Sequence, residues 1–257
     1  MFRLVLFALA AAAASPQAAP APADAPVQRY TLQVVARHPH DRQAFTQGLL
    51  IHDGRFYEST GKEGRSEIRR VTLDGKVEAR KAIAATQFGE GLALWHSTLV
   101  SLTWKDGIAY RWDRATLKGR GTRRYPGEGW GLATAPDALI LSDGSPALRF
   151  LDPKTLAEKR RVTVTVRGRP LDQLNELETV DGEVFANVWQ TNFIVAINPV
   201  DGHVTKIIDA SPLAAEVRAT DPDAVLNGIA WDAAAKKLYV TGKLWPTLFE
   251  VKLVPAV

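Results

Sequence analysis

The sequence predicts an all-β fold, namely a five-bladed β-propeller closed by an N-terminal strand. A short apolar pattern first appears at Phe45-Thr46-Gln47-Gly48-Leu49 and returns four times, at Gly91-Leu92, Gly131-Leu132, Glu176-Leu177 and Gly228-Ile229. Successive copies lie roughly 40 to 50 residues apart, which is the spacing of propeller blades. Asp-Gly turns and short apolar segments fill the intervals, and no long α-helical period competes with them.

The first copy opens a complete blade. Strands are predicted at residues 45–51, 55–60, 67–71 and 76–79, with turns at Asp53-Gly54 and Asp74-Gly75. Asp-Gly supplies the positive φ angles that a two-residue hairpin needs. Residues 30–35, which precede this blade, are rich in β-branched and apolar residues and are predicted to form a strand outside the repeats.

The later repeats follow the same plan. Their strands are predicted at residues 91–94, 98–104 and 108–112, at 130–133, 138–142 and 147–151, at 175–180, 183–189 and 193–197, and at 227–231, 237–241 and 248–251. The last repeat is one outer strand short, and residues 30–35 can supply it. A helix-like insertion is predicted at residues 212–218. A six-bladed ring is the main rival, whereas a two-sheet sandwich would not need five copies of one pattern.

Composition is that of an ordinary globular domain. The chain has 257 residues, of which 23% are charged and 46% hydrophobic, enough for one domain with a well-buried core. The net charge of +4 and the absence of Lys/Arg runs predict no nucleic-acid partner. The chain has no cysteine, which excludes a thiol nucleophile, a disulfide and a Cys-ligated zinc.

Residues 1–26 are predicted to be a signal peptide followed by a Pro/Ala linker. The basic start Met1-Phe2-Arg3 precedes an apolar run at residues 4–14, and small residues beyond it offer a cleavage site. This run is too short to span a bilayer comfortably, and an ordinary helix here would have nothing to pack on. We therefore expect a periplasmic or secreted monomer, without membrane attachment after cleavage, with residues 27–257 as one catalytic propeller domain.

Familiar catalytic motifs are missing. The sequence contains no Gly-x-Ser-x-Gly elbow, phosphate-binding loop or His-Glu-x-x-His zinc motif. His52, His96 and His203 fall in or beside turns, which favours solvated surface positions. His38 and His40 flank Pro39, and a metal role for them is kept as an alternative.

The polar residues of the predicted inner strands are the remaining candidates. Glu90 lies between Gly89 and Gly91, so that backbone or substrate can approach it closely. A carboxylate near apolar walls would have a raised pKa, which suits proton transfer near neutral pH. The structural alternative is a hydrogen-bond anchor that holds adjacent blades together.

Tryptophans and one lysine recur near the inner edge of the blades. Trp104, Trp130, Trp189 and Trp245 could be core packing, or could form a cage around one channel mouth for a small apolar or cationic group. Lys243 follows a predicted strand and could neutralise a developing oxyanion. Its alternative is a solvent-facing loop lysine.

Several motifs, taken together and in order, resemble the plant and bacterial type of glutaminyl-peptide cyclotransferases, also called glutamine cyclotransferases. They are Phe45-Thr46-Gln47-Gly48-Leu49, Glu58-Ser59-Thr60-Gly61, Glu90-Gly91-Leu92, Leu174-Asn175-Glu176-Leu177-Glu178, Leu226-Asn227-Gly228-Ile229-Ala230 and Thr241-Gly242-Lys243-Leu244-Trp245-Pro246. The resemblance covers residues 30–253. It implies a five-bladed propeller with its active site at the channel mouth, unrelated to the zinc-dependent animal enzymes.

The resemblance also implies an activity and a set of residues. The α-amine of an N-terminal glutamine in a peptide or protein would attack its own γ-carboxamide, giving pyroglutamate and ammonia. Glu90 would act as proton shuttle, with Lys243 as the second catalytic residue. The implied substrate-binding residues are Phe45, Gln47, Trp130, Asn175 and Trp189, with Glu58 and Asn227 in second rank. Trp130 and Trp189 would pack on the glutaminyl side chain, whereas Gln47, Asn175 and Lys243 would hydrogen-bond to the substrate.

Two other functions stay open at this stage. We expect no cofactor and no metal in catalysis, although a structural Ca²⁺ is possible. A calcium-dependent propeller hydrolase of the lactonase kind would instead use Glu90, Asn175 and Asn227 as oxygen ligands. A non-enzymatic propeller would bind peptides through its aromatic residues alone and would not need a carboxylate in the channel.

Overall fold

The computed structural model describes residues 26–256, and this part of the chain is almost entirely β-structure. The first strand is β1 (Gln28–Pro39). Two antiparallel units of four strands follow it: β2 (Thr46–His52), β3 (Arg55–Thr60), β4 (Glu67–Val71) and β5 (Val77–Ala82), then β6 (Gly89–Trp95), β7 (Thr98–Thr103), β8 (Ile108–Asp113) and β9 (Gly119–Arg124). The predicted signal peptide and most of the predicted linker, at residues 1–25, lie outside the described residues.

Three further units complete the chain. The third consists of β10 (Leu132–Ala135), β11 (Ala138–Leu141), β12 (Ala147–Leu151) and β13 (Glu158–Thr163), and a small hairpin of β14 (Thr165–Val166) and β15 (Arg169–Pro170) follows it. The fourth consists of β16 (Leu174–Val180), β17 (Glu183–Val188), β18 (Phe193–Ile197) and β19 (Val204–Asp209). Helix α1 (Ser211–Val217) then leads to β20 (Leu226–Asp232), β21 (Lys237–Gly242) and β22 (Thr247–Pro255). No helix in the described part is long and apolar enough to cross a membrane.

The N-terminal strand joins the last two units into one eight-stranded sheet. Strand β1 pairs in parallel with β19 and antiparallel with β22, so the sheet order is β16-β17-β18-β19-β1-β22-β21-β20. The two end strands of this sheet, β16 and β20, also contact each other. The prediction that the N-terminal strand would supply the strand missing from the last repeat is therefore confirmed.

The first strands of the five units lie side by side around a ring. Strand β2 contacts β6, β6 contacts β10, β10 contacts β16, β16 contacts β20, and β20 contacts β2. Glycines allow this close approach, because a Cβ atom on Gly91 would lie 2.5 Å from the Leu132 nitrogen and one on Gly131 would lie 2.0 Å from the Asn175 oxygen. At these two positions, and at Gly48 beside Leu92, the glycine of the sequence pattern is required because the neighbouring backbone leaves no room for a side chain.

In the fourth unit, Glu176 stands where the other inner strands have glycine. Its carboxylate accepts hydrogen bonds from the backbone N–H of Leu49, at 3.2 Å, and of Ile229, at 2.9 Å. These two residues belong to the first and the last units. The buried carboxylate therefore links the two ends of the ring from within.

The apolar core lies between neighbouring sheets. One cluster of buried side chains combines residues of the last two units with Leu213 of α1. Trp245 belongs to this cluster; its indole N–H donates to the carbonyl of Ala224 at 2.9 Å, and its ring packs edge-on against Phe249. Of the two roles considered for Trp245, core packing is the one that the structure shows.

Some outer strands were missed by the sequence analysis. All six residues of β9, Gly-Arg-Gly-Thr-Arg-Arg, are exposed, and β13 is also mostly exposed and basic. Such strands at the edge of a sheet show no apolar alternation, and basic residues on an edge discourage pairing with another chain. Helix α1 confirms the insertion predicted at residues 212–218.

A buried ionic network ties the start of β2 to β3 and β4. The Glu58 carboxylate accepts hydrogen bonds from the Thr46 hydroxyl at 2.6 Å and from Arg69 Nε at 2.7 Å, and it lies 3.1 Å from His40 Nε2. Arg69 also donates to Asp41 at 2.7 Å. Burial alone would raise the pKa of Glu58, but the charges of Arg69 and His40 outweigh it and hold that pKa well below its usual value.

We predict that Glu58→Ala destabilises the fold by about 3–5 kcal/mol, because it leaves the Arg69 guanidinium buried without its main partner. Urea denaturation monitored by tryptophan fluorescence would measure this change. The matched control is Glu216→Ala, which removes an exposed ion pair with Arg37 and should leave the midpoint almost unchanged. Equal losses in the two variants would show that the network does not stabilise the fold as argued.

Candidate active site

Four inner strands carry a polar residue at the same place, in a break of strand pairing. Gln47 lies in the register shift between Thr46 and Gly48, and Glu90 in the one between Gly89 and Leu92. Asn175 and Asn227 occupy the corresponding shifts of β16 and β20. A β-bulge re-aims the side chain that it contains. The repeated irregularity therefore places four polar side chains, one carboxyl and three amides, at one end of the ring.

A cavity of about 210 Å³ opens at this end. Seven of the nine predicted site residues line it: Phe45, Gln47, Glu90, Trp130, Asn175, Trp189 and Lys243. The side chains that sequence analysis did not assign to the site but that also line it are Lys62, Phe88, Trp104 and Asp223. Most lining residues stand at the start of an inner strand or just after the strand that follows it in the chain. These positions meet at one end of the ring although they are far apart in the sequence.

Aromatic rings form most of the wall. Phe45 packs edge-on against Phe88, and Phe88 against Trp104, with ring centroids 6.0 and 5.7 Å apart. On the other side Trp130 packs edge-on against Trp189 at 5.5 Å. Apolar rings therefore surround the polar groups of the cavity.

One carboxylate orients two of these tryptophans. Glu128 Oε2 accepts the indole N–H of Trp104 at 2.7 Å and that of Trp130 at 3.0 Å. Both indoles are thereby held by one oxygen, and the two arcs of the wall are joined. Glu128, which stands two residues before Trp130, thus supports the cavity wall.

Glu90 is almost completely buried, with 5% of its surface exposed. Its Oε1 accepts a hydrogen bond from Gln47 Nε2 at 3.0 Å. Burial raises the pKa of Glu90 well above its usual value; the positive charge of Lys243 works against this rise, and the negative charge of Glu128 adds to it. A carboxyl group with a raised pKa holds its proton more firmly than an ordinary surface carboxylate does.

Lys243 is equally buried, so it is not the solvent-facing lysine that was considered as an alternative. Its Nζ lies 4.8 Å from the centre of the Phe45 ring. Burial lowers its pKa to about 8, although the charges of Glu90 and Asp223 oppose that effect. Near neutral pH the amine is therefore still mostly cationic, and it lies buried among largely aromatic neighbours.

An ion pair of opposite charges lies at the rim of the cavity. Lys62 Nζ is 2.8 Å from Asp223 Oδ2 and 4.0 Å from the centre of the Phe45 ring. It links the loop after β3 with the loop before β20. Neither loop carries a periodic pattern, so the sequence offered no signal for this pair.

Phe88 could have been found from the sequence. It stands two residues before Glu90, as Phe45 stands two residues before Gln47, and both polar residues are followed by glycine. Trp104 was noted near the inner edge but was not assigned to the site. Its place in the wall depends on Glu128, which lies 24 residues further along the chain.

Glu58 and Asn227, the remaining predicted substrate-binding residues, do not line the cavity. Glu58 is held in the network with Arg69, and Asn227 lies behind Gln47, to which its amide donates at 3.2 Å. Since neither side chain reaches the cavity, direct contact with a substrate is not what this geometry supports. Asn227 contacts Gln47, which lines the cavity. Glu58 contacts Thr46, which stands between the lining residues Phe45 and Gln47.

The metal alternatives receive no support from the arrangement of side chains. Asn227 is engaged with Gln47 and does not converge with Glu90 and Asn175 on one point. His40 hydrogen-bonds to Glu58 and to the Trp245 carbonyl. Within residues 26–256 no group of three or more His, Cys, Asp or Glu side chains is placed to hold a metal ion.

These features define a class of site. A buried carboxyl with a raised pKa, a buried ammonium and two side-chain amides lie inside an aromatic wall that a small polar group can enter from one mouth. Such a set can move a proton within a bound group and stabilise negative charge on its oxygen. Acyl transfer is one reaction that needs both of these contributions.

Comparison with known proteins shows the family to which this chain belongs. A family model described as glutamine cyclotransferase matches residues 4–253. A glutaminyl-peptide cyclotransferase of Arabidopsis thaliana is 42% identical over 233 residues, which cover 88% of this chain and 72% of the plant protein. The crystal structure of Myxococcus xanthus glutaminyl cyclase is similar with a TM-score of 0.87 at 38% identity, covering 90% of this chain and 100% of that one. The chain belongs to the glutamine cyclotransferase family, which confirms the resemblance found in its motifs.

Proposed function

We propose that this protein converts the N-terminal glutamine of peptides or proteins to pyroglutamate and releases ammonia. The observation that carries the proposal is that Glu90 and Lys243, both buried, line one small aromatic cavity in a member of the glutamine cyclotransferase family. A glutamine side chain is short and polar enough to enter, and the rest of the peptide would leave through the mouth. The amine and the amide carbonyl belong to one residue, so binding mainly has to fold the side chain back on itself.

The reaction requires one proton to move between two nitrogens. The neutral α-amine attacks the γ-carbonyl carbon, and a C–N bond forms while the carbonyl oxygen becomes an oxyanion. Glu90 takes the proton from the attacking nitrogen and gives it to the carboxamide nitrogen, which leaves as ammonia when the second C–N bond breaks. The Lys243 ammonium stabilises the oxyanion in between.

The other cavity residues hold the substrate in the reactive conformation. Trp130 and Trp189 pack on the methylene groups of the glutaminyl side chain. Asn175 provides hydrogen bonds to the amine or the carboxamide, and Gln47 holds one oxygen of Glu90 so that the second oxygen can face the reacting nitrogens. Phe45 lies under the Lys243 amine and limits its freedom. No metal or cofactor enters this scheme.

The architecture and the location belong to the same proposal. The ring of five inner strands supports a five-bladed propeller whose last blade is completed by β1. The basic and apolar start of the sequence supports export to the periplasm or the medium. We propose that the exported domain works as a monomer, since its cavity is built from one chain.

A peptide with N-terminal glutamine tests the function directly. Incubation with the protein is expected to lower the peptide mass by one ammonia and to release ammonia in equal amount. The same peptide with an acetylated α-amine should not react, because its nitrogen cannot attack. A peptide whose mass stays unchanged under all conditions would contradict the proposal, and saturable binding without turnover would favour the peptide-binding alternative.

A further inference from the structure

A chain of hydrogen bonds runs from the main chain to Glu90 through two buried amides. Asn227 Nδ2 donates to the backbone carbonyl of Thr46 at 2.9 Å and to Gln47 Oε1 at 3.2 Å. Gln47 Nε2 in turn donates to Glu90 Oε1 at 3.0 Å. Asn227 has no solvent-exposed surface, and Gln47 is also buried. The chain therefore lies in a part of the protein where an unmade hydrogen bond is costly.

The donor-to-acceptor direction of this series of hydrogen bonds is fixed at the Thr46 carbonyl. A backbone carbonyl can only accept a hydrogen bond, so the NH₂ group of Asn227, and not its oxygen, must face Thr46. The same NH₂ group then meets Gln47 and requires an acceptor there, which is the Gln47 oxygen. It follows that the Gln47 NH₂ group is the one turned toward Glu90.

Asn227 also shows what this arrangement costs. Its own Oδ1 is buried and accepts no hydrogen bond from any described residue. Turning the amide over would not remove the cost, because the oxygen would then oppose the Thr46 carbonyl. A buried polar atom without a partner calls for an explanation. The two hydrogen bonds that the Asn227 NH₂ group donates provide one.

We infer that Asn227 is a positioning residue for the reaction: it fixes the Gln47 amide so that Gln47 donates to Glu90. The inference rests on the proposed function only for its kinetic consequence. The Gln47 donor favours the ionised form of Glu90, which must accept the proton of the attacking amine. Without Asn227 the Gln47 amide can turn its oxygen toward Glu90, which favours the protonated form instead.

Other groups that face Glu90 stay in place when Asn227 is changed. They are Lys243, whose charge favours the ionised carboxyl, Glu128, whose charge opposes it, and Tyr125, which directly follows β9. A shift of the Glu90 titration in an Asn227 variant can therefore be assigned to Gln47.

The test compares Asn227→Ala, Gln47→Ala and the double variant by the pH dependence of kcat/KM. Both single variants are expected to move the acidic limb upward, by about one pH unit for loss of a hydrogen bond to a charged group. The double variant should move it no further than Gln47→Ala does, because Asn227 acts through Gln47. A limb that stays in place in Asn227→Ala but moves in Gln47→Ala, or shifts that add in the double variant, would overturn the inference.

Asn187 provides the matched control. It is equally buried, lies next to the same strand and accepts the backbone N–H of Gly228 at 3.0 Å, but it has no link to Gln47. Asn187→Ala should lower Tm without moving the limb, and an equal shift in this variant would also overturn the inference. If Asn227→Ala does not fold, Asn227→Ser replaces it, because the smaller hydroxyl leaves room for a water. Serine lacks a donor that reaches both the Thr46 carbonyl and the Gln47 oxygen, so this variant should show the same shift.

A readout without turnover separates this inference from the proposed function. The ¹³C chemical shift of the Glu90 carboxyl, followed through a pH titration, is expected to show the upward shift in Asn227→Ala even if no peptide is cyclised. An unchanged titration would overturn the inference while leaving the activity assignment untouched. If the wild-type protein is inactive but Asn227→Ala shows the expected titration shift, the inference stands and the activity assignment fails.

Discussion

Glu90→Gln is expected to lower kcat for cyclisation by about 10²–10⁴-fold, the usual contribution of a positioned acid–base group. The substituted amide has nearly the same shape and fills the same buried place, but it cannot carry a proton from the attacking nitrogen to the leaving nitrogen. KM should change little, because the aromatic wall that binds the side chain remains. Initial rates of ammonia release over a range of peptide concentrations would separate the two constants.

The control for this variant is Glu178→Gln. Glu178 lines a different cavity of the ring, and burial raises its pKa to about 8, so that at neutral pH it is mostly protonated and resembles glutamine already. Its substitution should leave both the rate and Tm close to wild type. A wild-type rate in Glu90→Gln would remove Glu90 from the mechanism.

Lys243→Met is expected to lower kcat by about 10²–10³-fold, the loss seen when a single stabiliser of an oxyanion is removed. Methionine fills the space over the Phe45 ring but carries no charge, so binding of the substrate should survive. The loss should appear in kcat more than in KM, because the oxyanion exists only in the transition state and the intermediate. Steady-state kinetics with the same peptide would measure it.

The pH dependence of the rate also tests the charge of Lys243. Lys243 has a pKa of about 8, so its charge is present below pH 8 and is lost as the pH rises further. The substrate amine, with a pKa of about 7.7–8.0, becomes reactive over the same range. We therefore expect the rate to rise toward pH 8 and to fall above it.

The matched variant is Lys243→Arg, which keeps the charge at every accessible pH. It should retain part of the activity and lose the basic limb of the profile. If Lys243→Met keeps the wild-type rate, or if Lys243→Arg keeps the basic limb unchanged, the amine is not the stabilising charge.

Much of the architecture could be predicted because it rests on periodic and local signals. The Gly-Leu pattern repeats since inner strands such as β6 and β10 approach so closely that a side chain at Gly91 would collide with the next backbone. The exposed strand β9 escaped prediction for the opposite reason. Its polar residues meet water on both faces, so neither burial nor alternation marks it.

The site was predictable only in part, and the reason lies in the strand pairing. Glu90 was a candidate from its place between two glycines of an inner strand, whereas Gln47 and Asn175 were assigned through the family resemblance of the motifs that contain them. That Asn227 stands behind Gln47, 180 residues away, follows from the register shifts of β2 and β20, which no local pattern reveals. The rim pair of Lys62 and Asp223 joins two loops and depends on how the ring closes.

The central claim is that the substrate's own amine displaces its side-chain ammonia inside the Glu90 cavity. A peptide with N-terminal glutamine, labelled with ¹⁵N only in the side-chain amide, tests this most directly when the reaction is run in H₂¹⁸O. The account predicts that all released ammonia carries ¹⁵N, that the product has lost one ammonia and gained no ¹⁸O, and that Glu90→Gln forms it far more slowly. An ¹⁸O-labelled glutamyl peptide, the product of hydrolysis, or unlabelled ammonia would contradict it.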